Sequence, residues 1–211
     1  MKQSDQKIYL ASKSARRREL LRQIGVEFEL LLLRDQTPRG PEVTEEVLPG
    51  EAAEAYVARV TLEKAEFAHN TMLWRKLPNR PVLAADTTVV VDGRILGKPA
   101  GYAEAVEMLR LLSGRSHEVL TSIAVRHHDD TWQVTQRSEV RFAPLAEAAI
   151  HAYCTTTEPY DKAGGYGIQG MAAVFIAAIA GSYSGIMGLP LFETTQLLRQ
   201  AGIRILDVNG H

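Results

Sequence analysis

Apolar positions along this chain switch repeatedly between the alternate-residue spacing of strands and the three-to-four-residue spacing of helices. The pattern predicts a short strand at Ile8–Ala11, then a helix over Arg16–Ile24 that Gly25 closes. Val26–Leu33 reads as extended, and Arg34–Gly50, where prolines and glycines stand among acids, reads as a loop. Glu51–Asn70 predicts a long helix with the apolar stripe Ala53, Tyr56, Val57, Val60 and Phe67. A hairpin follows, with a valine-rich outgoing arm, an Asp92-Gly93 turn and a return arm beginning at Ile95. Beyond it come a helix over Tyr102–Leu112 stopped by Ser113-Gly114, and a hairpin joining Val119–Val125 to Trp132–Phe142. Helices near Leu145–Tyr153 and Leu191–Gln200 complete the pattern. The implied class is α/β, a mixed β-sheet with flanking helices, spanning 1–211 as one unit; the hairpins argue against an all-parallel sheet.

Composition narrows the partners. Of 211 residues, 45% are hydrophobic and 23% charged, ordinary values for a soluble domain. A formal net charge of −1 offers no general attraction to nucleic acid or to an anionic membrane, so any polyanion site must be local. Cys154 is the only cysteine, which forbids an internal disulfide and suits the cytoplasm; it reads as a small buried hydrophobe. No signal-peptide core stands at the N-terminus. The longest apolar run, Met171–Ala180, covers about half a membrane span and predicts a buried strand.

Four stretches carry candidate chemistry. In Leu10–Leu21, a strand runs through Ser12 and Ser14 into a helix opening with Arg16, Arg17 and Arg18. Cations there oppose the helix dipole, which makes sense if an external anion sits at the free amides and serine hydroxyls; the alternative is Ser14 as a plain N-cap. Lys64 falls on the inward stripe of its helix, where an ammonium must snorkel or meet an anion.

The third stretch is the hairpin, with Asp86-Thr87-Thr88 inside one arm and Gly97-Lys98-Pro99 ending the other. Counting back from the turn pairs Thr87 with Lys98 and sets Asp86 beside Pro99, where pairing must stop. Asp86, Thr87 and Lys98 then gather at the hairpin's open end, as a structural ion pair or as a base or metal ligand beside a phosphate-binding lysine. Alternation sends Asp86 and Thr87 to opposite faces, so one site uses both only if the strand bends or ends there.

The fourth, Glu158–Gly170, holds Asp161, Lys162 and Gln169 among glycines. It lacks the strand before and helix after that a dinucleotide fingerprint needs. Its glycines instead let backbone approach a ligand, with the Gln169 amide able to read a base edge. His127, His128, Asp129 and Asp130 fall at a hairpin tip and read as solvated.

Taken in order, LASKSARRRELL, EKA around Lys64, AADTTVVV with GKP, LSGRSHEVLT, DKAGGYGIQG and GSYSGIMGLPL resemble the Maf family of nucleoside triphosphate pyrophosphatases. Arg16, Thr87 and Gln169 resemble the subgroup acting on dTTP and UTP, rather than the sister subgroup acting on 7-methyl-GTP. The resemblance implies two lobes around a deep cleft, and hydrolysis of a nucleoside triphosphate to monophosphate and pyrophosphate with a divalent cation, Mg²⁺ or Mn²⁺. It implies Asp86 as proton acceptor for the attacking water, with Lys64 and Lys98 on the phosphate chain. Ser12, Ser14, Arg16 and Arg17 would bind phosphate too, Asp161 and Lys162 would line the substrate site, and Arg16, Thr87 and Gln169 would select the pyrimidine. It further implies a homodimer, and through the family's association with septum formation an alternative role as a nucleotide-binding regulator of division. The metal ligands stay open: Asp35, Glu42, Glu45 and Glu46 are the acids available.

Overall fold

The computed structural model describes residues 6–32 and 43–206. The expected loop therefore lies partly outside the described residues, as do Asp35 and Glu42. Among the described residues, seven strands form one mixed sheet: β1 (Ile8–Leu10), β2 (Phe28–Leu30), β3 (Val82–Val91), β4 (Arg94–Leu96), β5 (Ser116–His127), β6 (Asp130–Phe142) and β7 (Ile176–Ala180). Their order is β2-β1-β3-β5-β6-β7, with β4 on β3 as well; β1 runs parallel to β2 and β3, and the other pairs are antiparallel. The helices are α1 (Ala15–Gln23), α2 (Ala53–Trp74), α3 (Tyr102–Leu112), α4 (Glu147–Cys154), α5 (Tyr183–Ile186) and α6 (Leu191–Gln200).

The predicted turn sets the hairpin. Asp92 and Gly93 both take positive φ, 50° and 74°, and Val91 faces Arg94 as counted. Pairing ends sooner than expected: the last pair is Val89 with Leu96, so Thr87 and Lys98 are not ladder partners. Nor does β3 end or break at Asp86. Its pairing with β5 is continuous from Val82 to Val90. The gap lies on the other edge, where β1 stops at Leu83 and β4 begins only at Val89.

Alternation along β3 distributes three cores. Val82 and Ala84 pack on Ala65, Ala68 and Met72 of α2. On the opposite face, Leu83 and Ala85 pack with Leu20, Leu21, Leu197 and Leu198 of α1 and α6. Farther along that face, Val89 and Val91 join a separate core with Leu109, Leu112, Phe142 and Ile150 under α3 and α4. Each such fully buried aliphatic side chain contributes about 1.5–3 kcal/mol. Thr87 sits between the second and third cores and belongs to neither.

Two elements differ from the pattern reading. The run expected as a buried strand is a 3₁₀ turn at Met171–Phe175 leading into β7, whose last four residues are exposed. Its apolar character did not reveal that, among the described residues, β7 is an edge strand with only β6 beside it. Helix α2 runs on to Trp74, and its later core positions are Ala65, Ala68 and Met72, while Phe67 packs edge-on against Trp74. Cys154 is buried and unpaired, and His128–Asp130 are exposed, as read from the sequence; His127, expected with them in solvent, is half-buried.

His117 on β5 is buried, with Nε2 2.6 Å from Tyr166 Oη and the ring edge-on to Phe142 and Tyr166. Burial pushes its imidazole from 6.5 down to about 4. Folding thus favours the neutral ring: its contribution, on the order of 3 kcal/mol, is whole above pH 6.5 and fades as pH falls toward 4. The expected outcome is that His117→Gln unfolds in urea with a shallower loss of stability between pH 6.5 and 4 than the parent protein. His69 and His127 shift the same way, so both proteins keep some acid lability.

Candidate active site

The gap beside β3 opens into a cavity of about 940 Å³ lined from the β1–α1 turn, α2, β3, the end of β4 and the glycine-rich segment. Because no strand among the described residues flanks Ala84–Thr88 on that side, residues from both faces of β3 border the same opening. Asp86 and Thr87 therefore share a cavity without any bend in the strand.

On the α2 face, Lys64 Nζ lies 2.8 Å from Asp86 Oδ1 and 2.6 Å from Glu45 Oε1. Lys64 and Asp86 are 15% and 13% exposed, so the ammonium on the inward face is paired, not snorkelling. Burial alone would raise the Glu45 carboxyl, but Lys64, by charge and hydrogen bond, with Lys98 and Arg17 behind it, holds it below its ordinary range. The segment carrying Glu45 is tied to α2: Tyr56 Oη donates to Glu45 O, and Arg59 donates to Glu46 O and both oxygens of Glu51. Sequence reading offered four acids for this place; the α2 contacts single out Glu45 among the described ones. Lys98 is exposed at the end of β4 and lines the same cavity.

On the other face, Arg17 bridges the gap. Its Nε donates to Gly188 O at 2.7 Å, Nη1 to Ala85 O at 2.8 Å and Ser12 Oγ at 3.1 Å, and Nη2 to Thr87 Oγ1 at 3.2 Å. Four of five guanidinium N–H groups are thus committed to the protein. Burial lowers the Arg17 guanidinium, with Asp86 opposing and Arg16 adding to the shift. Gly188 takes φ +111°, a conformation that strains any side chain, so glycine suits this contact. Gly188 lies in the GSYSGIMGLPL motif, but its role was not readable there because its partner is 171 residues away.

Ser14 is the N-cap of α1, accepting from Arg17 N at 3.4 Å, and Ser12 Oγ accepts from Ser14 N at 3.2 Å. Ser12, Ser14 and Arg16 all line the cavity. Lys162 also lines it, but its ammonium donates to Glu158 O and Asp161 Oδ1 in its own segment. Burial would raise the Asp161 carboxyl, yet Lys162 and then Arg16 hold it down. Gln169 stands apart: it is exposed and outside the cavity lining, while its neighbours Gly167 and Ile168 are buried and inside it.

Among the described residues, no three His, Cys, Asp or Glu side chains form a ready metal cluster. The donors nevertheless fit a hard cation that takes one or two carboxylates and completes its shell on phosphate oxygens and water. Glu45 and Asp86 converge on one ammonium, and Asp86 Oδ2 has no hydrogen-bond partner among the described residues.

Residues 7–201 match the family described as Maf-like protein. The dTTP/UTP pyrophosphatases of Aromatoleum aromaticum and Nitrosospira multiformis are each 53% identical over 203 residues, covering 96% of this chain and 98% of theirs. That of Burkholderia lata is 54% identical over 198 residues, 93% of each chain. The Staphylococcus aureus Ham1 protein shares 18% identity at a TM-score of 0.43, over 65% of this chain and 72% of its own, too distant to carry anything across. With a match running from the first strand to the end of the last helix, and relatives identical at half their positions, this chain belongs to the Maf family.

Proposed function

We propose that this protein is a nucleoside triphosphate pyrophosphatase that hydrolyses dTTP and UTP, and modified pyrimidine triphosphates, to the monophosphate and pyrophosphate. The observation that carries the reading is Lys64 held between Asp86 and Glu45 at the floor of a cavity sized for a nucleotide. Names borne by full-length relatives support the substrate class.

In this reading the triphosphate lies along the gap beside β3. Lys64 and Lys98, with the Ser12–Arg16 turn, balance its charge and that of the departing pyrophosphate. Asp86 takes the proton of the water that attacks the α-phosphorus, a role contributing a factor of roughly 10²–10⁴. A divalent cation, Mg²⁺ or Mn²⁺, held by Glu45 beside Asp86, would neutralise charge on the phosphate oxygens. Arg17, whose donors are largely committed, braces Thr87 and Ser12 and has one N–H left for phosphate. Arg16, Thr87 and Gln169 select the base, Gln169 only after turning inward from its exposed position.

We place the reaction in the cytoplasm, which the unpaired Cys154 suits; among the described residues, no helix is long and apolar enough to cross a membrane. The homodimer we propose finds support in the uncharged, proline-free β7 edge, with Val174 82% exposed beside it.

Incubation with Mg²⁺ or Mn²⁺ and a triphosphate panel should release pyrophosphate, not phosphate, from UTP and dTTP. In Asp86→Asn, Lys64 keeps its Glu45 partner, so the fold and nucleotide affinity should survive while kcat drops roughly 10²–10⁴-fold. Turnover at the parent rate would remove Asp86 from the base role. Gln169→Ala should erode the preference among bases more than it raises KM for all of them; a uniform loss would contradict a base-reading role.

A further inference from the structure

Thr87 belongs to a directional chain of hydrogen bonds. Thr121, on β5 opposite Thr87, is completely buried. Its hydroxyl donates to Gly185 O at 2.8 Å, and a carbonyl can only accept, so the one Thr121 proton is committed there. The Thr87–Thr121 contact at 2.9 Å then has a single solution: Thr87 donates and Thr121 accepts. Arg17 Nη2 donates to Thr87 Oγ1 from a third side. A threonine hydroxyl has one proton and two lone pairs, so what remains on Thr87 toward the cavity is one lone pair.

Resting on the reading of this cavity as a pyrimidine triphosphate site, we propose that Thr121 is a positioning residue that locks Thr87 as an obligate acceptor, so that the cavity favours bases whose ring N3 carries a proton. Uracil and thymine present N3–H and meet the lone pair. Cytosine presents its own N3 lone pair, and the two acceptors repel without a proton between them. An unwired threonine could rotate its hydroxyl and serve either base. The chain Gly185–Thr121–Thr87–Arg17 removes that freedom, which turns an adaptable side chain into a reader of one proton. Its ends also explain local backbone: Gly185 belongs to α5 and Gly188 to the turn after it, so this helix anchors the relay at the cavity wall.

The test is the ratio of kcat/KM for UTP to that for CTP. Thr121→Val keeps the shape and removes the acceptor, freeing the Thr87 proton; the ratio should fall about tenfold, as loss of one hydrogen-bond discrimination implies. Thr121→Ser restores the relay and should restore the ratio. An unchanged ratio in a Thr121→Val protein that melts cooperatively overturns the proposal, as does a Thr121→Ser protein no more selective than the valine variant. A probe independent of folding is UTP methylated at N3, which the unsubstituted protein should turn over at least about tenfold more slowly than UTP methylated at C5; equal turnover also overturns the proposal. Absence of pyrophosphate release from any pyrimidine triphosphate would instead overturn the reading of the site itself.

Discussion

A strand inside a sheet must find partners for its backbone on both edges, and among the described residues β3 lacks a strand on one edge over Ala84–Thr88. The candidate site grows out of that vacancy. β1 departs after Leu10 to enter the turn before α1, and β4 is too short to reach back past Leu96. Arg17 supplies a donor to Ala85 O in place of the missing strand, and the remainder of the gap is the cavity. A closed ladder at this position would bury the strand and leave no room for a ligand.

This arrangement resolves how a continuous strand can offer two neighbouring side chains to one site. Asp86 and Thr87 point to opposite faces, yet an open edge is accessible from both. The faces then divide labour. The α2 side concentrates opposite charges, with Lys64 between two carboxylates, a pattern suited to phosphate and metal chemistry. Around Thr87, the α1 side holds hydroxyls and carbonyls organised by Arg17, hydrogen-bonding groups rather than a cluster of opposite charges. The boundary between two hydrophobic cores at Thr87 keeps these polar groups out of either core.

What the sequence made legible was local. Helical and strand spacing placed nearly every element, and Asp92-Gly93 fixed the hairpin register because that turn demands positive φ at both residues. Lys64 stood out because an ammonium on an apolar stripe needs a partner. Where pairing would end was not legible: Thr87 and Lys98 count as partners on paper, but past Leu96 the strand's Gly97 O is taken instead by Gly164 N of the distant glycine-rich segment. The Met171–Ala180 run misled for a similar reason, since apolar composition does not say whether a strand has one neighbour or two. Thr121 and Gly188 fall within quoted motifs but had no role assigned, because their meaning lies in contacts across 34 and 171 residues of chain. Glu45 could be told from Glu46 only by its own ties to Tyr56 and Lys64.

The central claim is that the open edge of β3 is where a triphosphate lies. A crystal structure with Mg²⁺ and a non-hydrolysable α,β-imido analogue of dUTP tests it directly. The account predicts phosphate oxygens on Lys64 and Lys98, a water between Asp86 and the α-phosphorus, and the uracil ring beside Thr87. An analogue bound elsewhere, with the Lys64–Asp86–Glu45 cluster untouched and the gap filled only by solvent, would contradict it.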